Sequence, residues 1–530
     1  MSFNIEKWDV EDGNFWKTTG NKIANRNLWI SIPALLLAFS VWIMWGMIIV
    51  QMRKLGFNFG LPHETPEEIA KINQLLWMLP AIAGLSGATM RIPNSFLIAI
   101  GGGRNTIFLT TALLLVPAIG AGIALQDPKT PFFVFAILAA TSGFGGGNFA
   151  SSMSNISYFF PKRVQGTSLG LNAGLGNLGV SVMQFLIPFA ITGGILVGVT
   201  GEGLPLTEVD GDKAVGTLVF IQNAGWVWVP MLIITTVLAF FGMNNLKYAT
   251  PALGSQVKEF SKIILLLLFG LIGAGLGAYL LNGLGWNMWL VLPIVVVVTL
   301  MLMKYLSPGE LTANLKKQFA IFENKHNWIM TIIYIMTFGS FIGYSASFPK
   351  LIQDVFGYLP DGAVNPNAPN PMTWAFLGPM VGALIRPVGG WLSDKIDSGS
   401  RVTTWSTVAQ ILAALGVAYF IIAARESTSP EQYWWPFFIL FMILFITTGI
   451  GNGSTFRSIP YIFNKEQAGP VLGWTSAIAA YGAFIIPKIF GQQIAAKHAE
   501  YALYGFAIYY VICLILNWYY YDRKNSGIKC

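Results

Sequence analysis

Long apolar runs alternate with short polar connections along almost the whole chain. A helix needs about 20 apolar residues to cross the hydrocarbon layer of a bilayer. Runs of that kind fall near residues 29–50, 73–98, 106–126, 131–153, 166–191 and 217–242. A second set of six falls near 328–349, 372–392, 401–424, 434–456, 470–491 and 500–521. Between the sets lie two more, near 261–282 and 286–305, joined by Asn282-Gly283-Leu284-Gly285. The pattern predicts an all-α polytopic membrane protein with about 14 spans, grouped as six, two and six. The middle pair can be read as two crossings or as one re-entrant hairpin, and each run is long enough to cross.

This grouping divides the chain into a polar segment 1–28, a first half 29–245, a central linker 246–326 holding the extra pair, a second half 327–521 and a tail 522–530. The first 28 residues contain no short apolar core with a small-residue cleavage site, so no cleaved signal peptide is expected. Composition agrees: 54% of residues are hydrophobic and 11% charged, where a soluble domain carries roughly 25% charged. The formal charge of +8 does not imply nucleic-acid binding, because membrane proteins keep Lys and Arg on their cytoplasmic side. Lys7, Lys17, Lys22, Arg26, Lys162, Arg163, Lys247, Lys258, Lys262, Lys304, Lys316, Lys317, Lys325, Arg523, Lys524 and Lys529 fall on one side. Glu202, Glu208, Asp210 and Asp212 fall on the other. Both termini are therefore expected to be cytoplasmic.

Cys513 and Cys530 have no metal-ligand spacing, and His63, His326 and His498 fall in polar connections. No metal site, cofactor or enzyme motif is expected.

An internal repeat emerges from two charged positions. The second span contains Gly87-Ala88-Thr89-Met90-Arg91-Ile92-Pro93, and its counterpart in the second half contains Gly382-Ala383-Leu384-Ile385-Arg386-Pro387. A weaker echo joins Gly145-Gly146-Gly147-Asn148 to Gly449-Ile450-Gly451-Asn452. Two related halves with the substrate between them are a recurring transporter plan. An arginine within a span costs a few kcal/mol and by default faces the bundle interior with a task. No Asp or Glu lies well inside the twelve repeat spans as drawn, so Arg91 and Arg386 lack an obvious carboxylate and call for an anion. The competing reading is snorkelling: each arginine lies roughly 10 Å from the end of its span, within reach of the headgroups.

The glycine-rich stretch Gly143 to Gly179 suits close helix packing, which explains its glycines. It does not explain Asn148, Asn155, Asn172 and Asn177, amides that could donate to an anion. This stretch, with Gly449-Ile450-Gly451-Asn452-Gly453-Ser454, resembles the two signature regions of the nitrate/nitrite porter family of the major facilitator superfamily. The resemblance covers both halves. It implies a bacterial inner-membrane carrier that works by alternating access, with nitrate or nitrite held between Arg91 and Arg386. It also implies aromatic residues around the anion and polar neighbours donating to it. Phe149 and Asn177 match within the first signature, and Tyr344 and Phe348 match in the first span of the second half. Asn148, Asn172, Asn452 and Ser454 are secondary candidates. The family's usual member has twelve spans, so the extra pair departs from it. Arg457 is expected to anchor at the interface or contact a gate rather than bind substrate, and Lys488 to snorkel or gate.

A planar guanidinium fork matches a planar oxyanion. Nitrate entry into a negative cell is uphill by about 2.3 kcal/mol per 100 mV, and the spans offer no carboxylate or histidine to carry a proton. Nitrate/nitrite exchange is therefore the favoured expectation, with proton-coupled symport as its rival. An anion channel and a nitrate sensor are the readings from other classes. Partners are expected to be nitrate, nitrite and lipid, with the protein a monomer.

Overall fold

The computed structural model describes residues 3–193, 201–207, 213–360, 365–528 and 530. Glu208, Asp210, Asp212 and Lys529 lie outside them. Thirteen helices among the described residues are long and apolar enough to cross a membrane. In chain order they are α1 (Gly13–Lys54), α2 (Glu67–Asn94), α3 (Gly103–Ala124), α4 (Phe132–Phe159), α5 (Lys162–Ile191), α6 (Asn223–Gly242), α7 (Gln256–Gly283), α8 (Met288–Tyr305), α9 (Lys325–Phe356), α11 (Gly399–Arg425), α12 (Pro430–Ile462), α13 (Lys465–Ile494) and α14 (Glu500–Asp522). Between α9 and α11 lies α10, the span expected at 372–392. It is broken into Pro371–Trp374, Leu377–Leu384 and Arg386–Lys395. Pro387, which has no N–H to continue a helical ladder, sits at the start of the last piece.

Local chemistry sets several helix starts. Thr65 and Glu68 form a reciprocal capping box at the start of α2. Asn287, Asn324, Ser398 and Asn464 cap α8, α9, α11 and α13 with their side chains. Residues Asn4–Ile5 (β1) pair in parallel with Asn245–Leu246 (β4), and Leu204–Pro205 (β2) pairs antiparallel with Leu218–Val219 (β3).

The chain forms two compact units. Unit one comprises the residues up to Trp8, Asn25–Ser152 and Val182–Lys317; unit two comprises Asp9–Ala24, Met153–Ser181 and Gln318–Cys530. The extra pair belongs to unit one. At 28 and 18 residues, α7 and α8 are about 42 and 27 Å long, two separate helices rather than one re-entrant loop. A seam of glycines on α7 lets it approach α2 closely. A methyl group added to Gly270 would meet Met90 and Pro93, which flank Arg91; one on Gly277 would meet Leu85 and Val295. The inserted helices thus brace the arginine-bearing span.

Substituting Gly270→Val should force these helices apart at a cost of about 1–3 kcal/mol. The check is thermal unfolding of the purified protein followed by tryptophan fluorescence. A midpoint several degrees below wild type is expected, and an unchanged midpoint contradicts the tight seam.

Candidate functional site

Each unit buries one arginine of the repeat completely. In unit one, Arg91 extends from α2 into a ring of aromatics. Its guanidinium carbon lies 4.8 Å from the centre of the Phe149 ring, 5.4 Å from Trp42 and 5.8 Å from Phe39. Its Nε donates to the Gly146 carbonyl at 2.7 Å. That approach requires glycines: a methyl group on Gly146 of α4 would strike the backbone of Gly87 on α2. The sequence-predicted pair Arg91 and Phe149 is thus brought together, and neither arginine snorkels.

In unit two, Arg386 occupies the equivalent place on α10. Its guanidinium carbon lies 4.1 Å from the centre of the Phe341 ring and 5.4 Å from Phe338. None of its three side-chain nitrogens has a hydrogen-bond partner among the described residues. Phe338 and Phe341 on α9 repeat the spacing of Phe39 and Trp42 on α1. Sequence reasoning missed both pairs. Their signal was an aromatic at the same position, three before another, in the first span of each half.

The repeat extends to α4 and α12. Gly449 on α12 meets Gly382 on α10 as Gly146 meets Gly87. The second half also carries Asn452 on α12. Asn452 is fully buried, and both atoms of its amide lack a partner among the described residues. Its neighbour Gly453 packs against the backbone of Arg386 and Gly390. Two unsatisfied polar groups, a donor fork and an amide, therefore come from two helices in direct contact.

The other expected residues are placed differently. Tyr344 is buried on α9, with its hydroxyl bonded to the Tyr510 hydroxyl, which donates to Ser340 Oγ at 2.9 Å. Phe348 stacks on Phe441 at 4.3 Å, within a cluster that includes Phe437 and Phe445. The rings over Arg386 are Phe338 and Phe341, one or two turns earlier on α9. Ser454 is engaged by Thr403 on α11 at 2.7 Å. Asn177 donates to the Ala173 carbonyl of its own helix at 2.7 Å, and its Oδ1 has no partner among the described residues. Asn172 Nδ2 lies 3.5 Å from Met153 Sδ, and Asn148 is buried with an unpartnered Oδ1.

The charge of Arg457 is paired with carboxylates. Its Nη2 bonds Asp397, its Nε lies 3.8 Å from Asp394 Oδ1, and its guanidinium covers the Tyr461 ring. Asp394 also accepts from the backbone N–H and hydroxyl of Thr167 at 2.8 and 2.7 Å, clamping the start of α5 to α10. Asp394 falls just past the span boundary drawn at residue 392, so the sequence left Arg457 without a partner. Lys488 is exposed on α13, 5.8 Å from the Phe484 ring centre. Among the described residues no cluster of His, Cys, Asp and Glu could hold a metal ion.

Residues 262–487 match the Major Facilitator Superfamily. The chain is 36% identical to a probable nitrate/nitrite antiporter, NarK2, of Thermus thermophilus, covering 99% of this chain and 98% of that protein. It is 34% identical to the nitrate/nitrite transporter NarU of Escherichia coli, covering 99% and 97%. Among solved structures it resembles the proton:xylose symporter XylE, with a TM-score of 0.61 at 10% identity over 94% of this chain and 96% of that one. That likeness speaks to the fold alone.

A buried guanidinium with no acceptor is destabilising. Arg386→Met should therefore raise the unfolding midpoint of the purified protein in a buffer of weakly binding anions, by about 1–4 kcal/mol of stability. Differential scanning fluorimetry reads this directly, and a lower midpoint contradicts an uncompensated charge.

Proposed function

This chain belongs to the nitrate/nitrite porter family of the major facilitator superfamily, and we propose that it carries nitrate and nitrite across the bacterial inner membrane by alternating access, exchanging one for the other. One observation carries the reading: Arg386 is wholly buried, and all three guanidinium nitrogens lack a partner among the described residues. Placing an arginine at the centre of a membrane helix costs about 2.5–3.5 kcal/mol on insertion scales. An anion offsets that cost by supplying both a counter-charge and acceptors.

The surroundings favour a planar anion. Phe341 covers the guanidinium carbon at 4.1 Å, which leaves the in-plane donors Nε, Nη1 and Nη2 as the accessible groups. Nitrate and nitrite keep all their oxygens in one plane and can meet that edge beside the ring. A tetrahedral anion would press an oxygen against the aromatic face. Arg91 is the corresponding anion-binding candidate of the first half, with Phe149 against it. Asn452 adds an amide donor to Arg386. Asn177, whose second amide hydrogen is uncommitted, and Tyr344 act after local rearrangement, since Tyr344 now bonds Tyr510. Phe348 shapes the aromatic wall behind Tyr344. Asn148 and Asn172 are secondary polar candidates, each in its own unit, and Ser454 supports the packing of α12 on α11.

Exchange follows from charge. Moving one anion inward against a negative interior is uphill by about 2.3 kcal/mol per 100 mV, and swapping nitrate for nitrite moves no net charge. Among the described residues the buried carboxylates Glu259 and Glu500 and the half-buried Asp394 are each engaged by a basic side chain, Lys262, Arg425 and Arg457 respectively. None stands ready to shuttle a proton. We place both termini in the cytoplasm and take the working unit as a monomer.

In proteoliposomes, labelled nitrate should enter vesicles preloaded with nitrite and should do so without a pH gradient. Uptake that needs a pH gradient and no internal nitrite would establish symport instead. Asn452→Leu should weaken nitrate affinity by about tenfold to a hundredfold, the worth of one hydrogen bond to a charged group. Isothermal titration checks this, and wild-type affinity in the variant removes Asn452 from the site.

A further inference from the structure

A second buried arginine lies at the end of unit one where α2 and α6 finish and α3 and α7 begin, apart from the transport residues. Arg104, the second residue of α3, is only 4% exposed. Its guanidinium is held between two rings, 4.0 Å from the centre of Phe3 and 4.3 Å from Phe240. Nε donates to the Phe240 carbonyl at 2.6 Å and Nη1 to Asn105 Oδ1 at 3.3 Å. Nη2 makes no hydrogen bond among the described residues.

Its neighbours of like charge are neutralised, and it is not. Lys247 pairs with Glu6 at 2.6 Å, Lys258 with Glu310 at 2.7 Å and Lys262 with Glu259 at 3.1 Å. Among the described residues no carboxylate pairs with Arg104. The guanidinium opens on a cavity of about 160 Å³, lined by Phe3, Asn4, Arg104, Asn105, Asn245 and Gln256 together with Leu253 and Gly254. That is far above the ~10–15 Å³ that holds one water. No acidic side chain is in the lining. Glu259, three residues past Gln256, is turned to the Gly254 N–H at 2.8 Å and to Lys262. The cavity is rigidly built: Asn245 donates to Asn4 Oδ1 at 3.1 Å and accepts from the Asn105 N–H at 3.4 Å, and β1 pairs with β4 beside it.

Position selects the ligand. Phe240 is followed by Phe241, and Gln256 by Val257, both strongly exposed. Leu238, Val237 and Ile234 continue that exposed apolar surface along α6. The cavity therefore sits at the polar border of a lipid-facing helix, where headgroups lie. Basic pockets between spans on the Lys/Arg-rich side are suited to anionic headgroups, and the guanidinium fork is suited to phosphate oxygens.

We propose that this cavity binds a phosphate group, presented by an anionic phospholipid whose acyl chains run along α6 and α7. The N-terminal strand forms one wall through Phe3 and Asn4, so lipid binding fastens the N-terminus to unit one. The site does not depend on which anion the protein carries.

The test is thermal unfolding of the purified full-length protein in detergent. It is titrated with dioctanoyl phosphatidylglycerol, with dioctanoyl phosphatidylcholine, and with sodium phosphate at constant ionic strength. Phosphatidylglycerol should raise the midpoint saturably, and phosphatidylcholine should do so far less. Arg104→Gln should weaken the response by at least about tenfold, the loss of a charge-assisted contact. Gln256→Glu, at the exposed rim, should weaken it similarly by repulsion and carries the test if Arg104→Gln does not fold. Identical titrations for wild type and variants overturn the proposal. A full shift with sodium phosphate alone overturns the lipid as its source.

Discussion

Charge taken out of water must be compensated, and the structure is organised by where that compensation comes from. Arg457 draws on Asp394 and Asp397, Arg425 on Glu500, and Lys262 on Glu259. The first two pairs join different helices near span ends, α12 to α10 and α11 to α14, and the third lies within the first turns of α7. Arg91 draws on a backbone carbonyl and three aromatic faces. Arg386 draws on aromatic faces only. Ring quadrupoles contribute about 2 kcal/mol each when desolvated, less than a lost set of charge-assisted hydrogen bonds. That deficit leaves Arg386 the least compensated of these charges.

The repeat that supplies the two arginines is not symmetric in chemistry. The glycine contacts Gly146–Gly87 and Gly449–Gly382 place the helices alike, and the paired aromatics Phe39 and Trp42 recur as Phe338 and Phe341. What differs is the chemistry around each arginine. Phe149 covers Arg91, whereas α12 contributes the buried, unpartnered amide of Asn452 to the second half. One half is mainly apolar support with a partly satisfied arginine. The other combines an unsatisfied fork with an unsatisfied amide.

Hydropathy alone made the helices legible, because a span must be long and apolar wherever it packs. The arginines were legible because charge inside a span is rare. Residues whose role depends on side-chain direction were harder to read. Tyr344 and Phe348 share a helix face, yet that face packs on Phe441, Phe445 and Phe506, and only the turn before it reaches Arg386. Phe338 and Phe341 could not be told from ordinary packing until their counterparts Phe39 and Trp42 were found around Arg91. Asp394 escaped notice for another reason: span boundaries blur over several residues, and it falls in that margin. The break in α10 at Ile385 follows Pro387, but proline also occurs inside intact helices here, such as Pro460 in α12, so sequence could not locate the break.

The glycine seam of α7 also bears on how the protein is made. Residue 270 leaves the ribosome long after α2 has been offered to the membrane, so the arginine-bearing span waits without its brace. The strand at Asn4–Ile5 waits for Asn245–Leu246, a separation of 241 residues. Residues Met153–Ser181 are synthesised early but belong with helices that begin at Gln318. Neither unit can be completed in order of synthesis, which makes insertion and assembly two distinct stages.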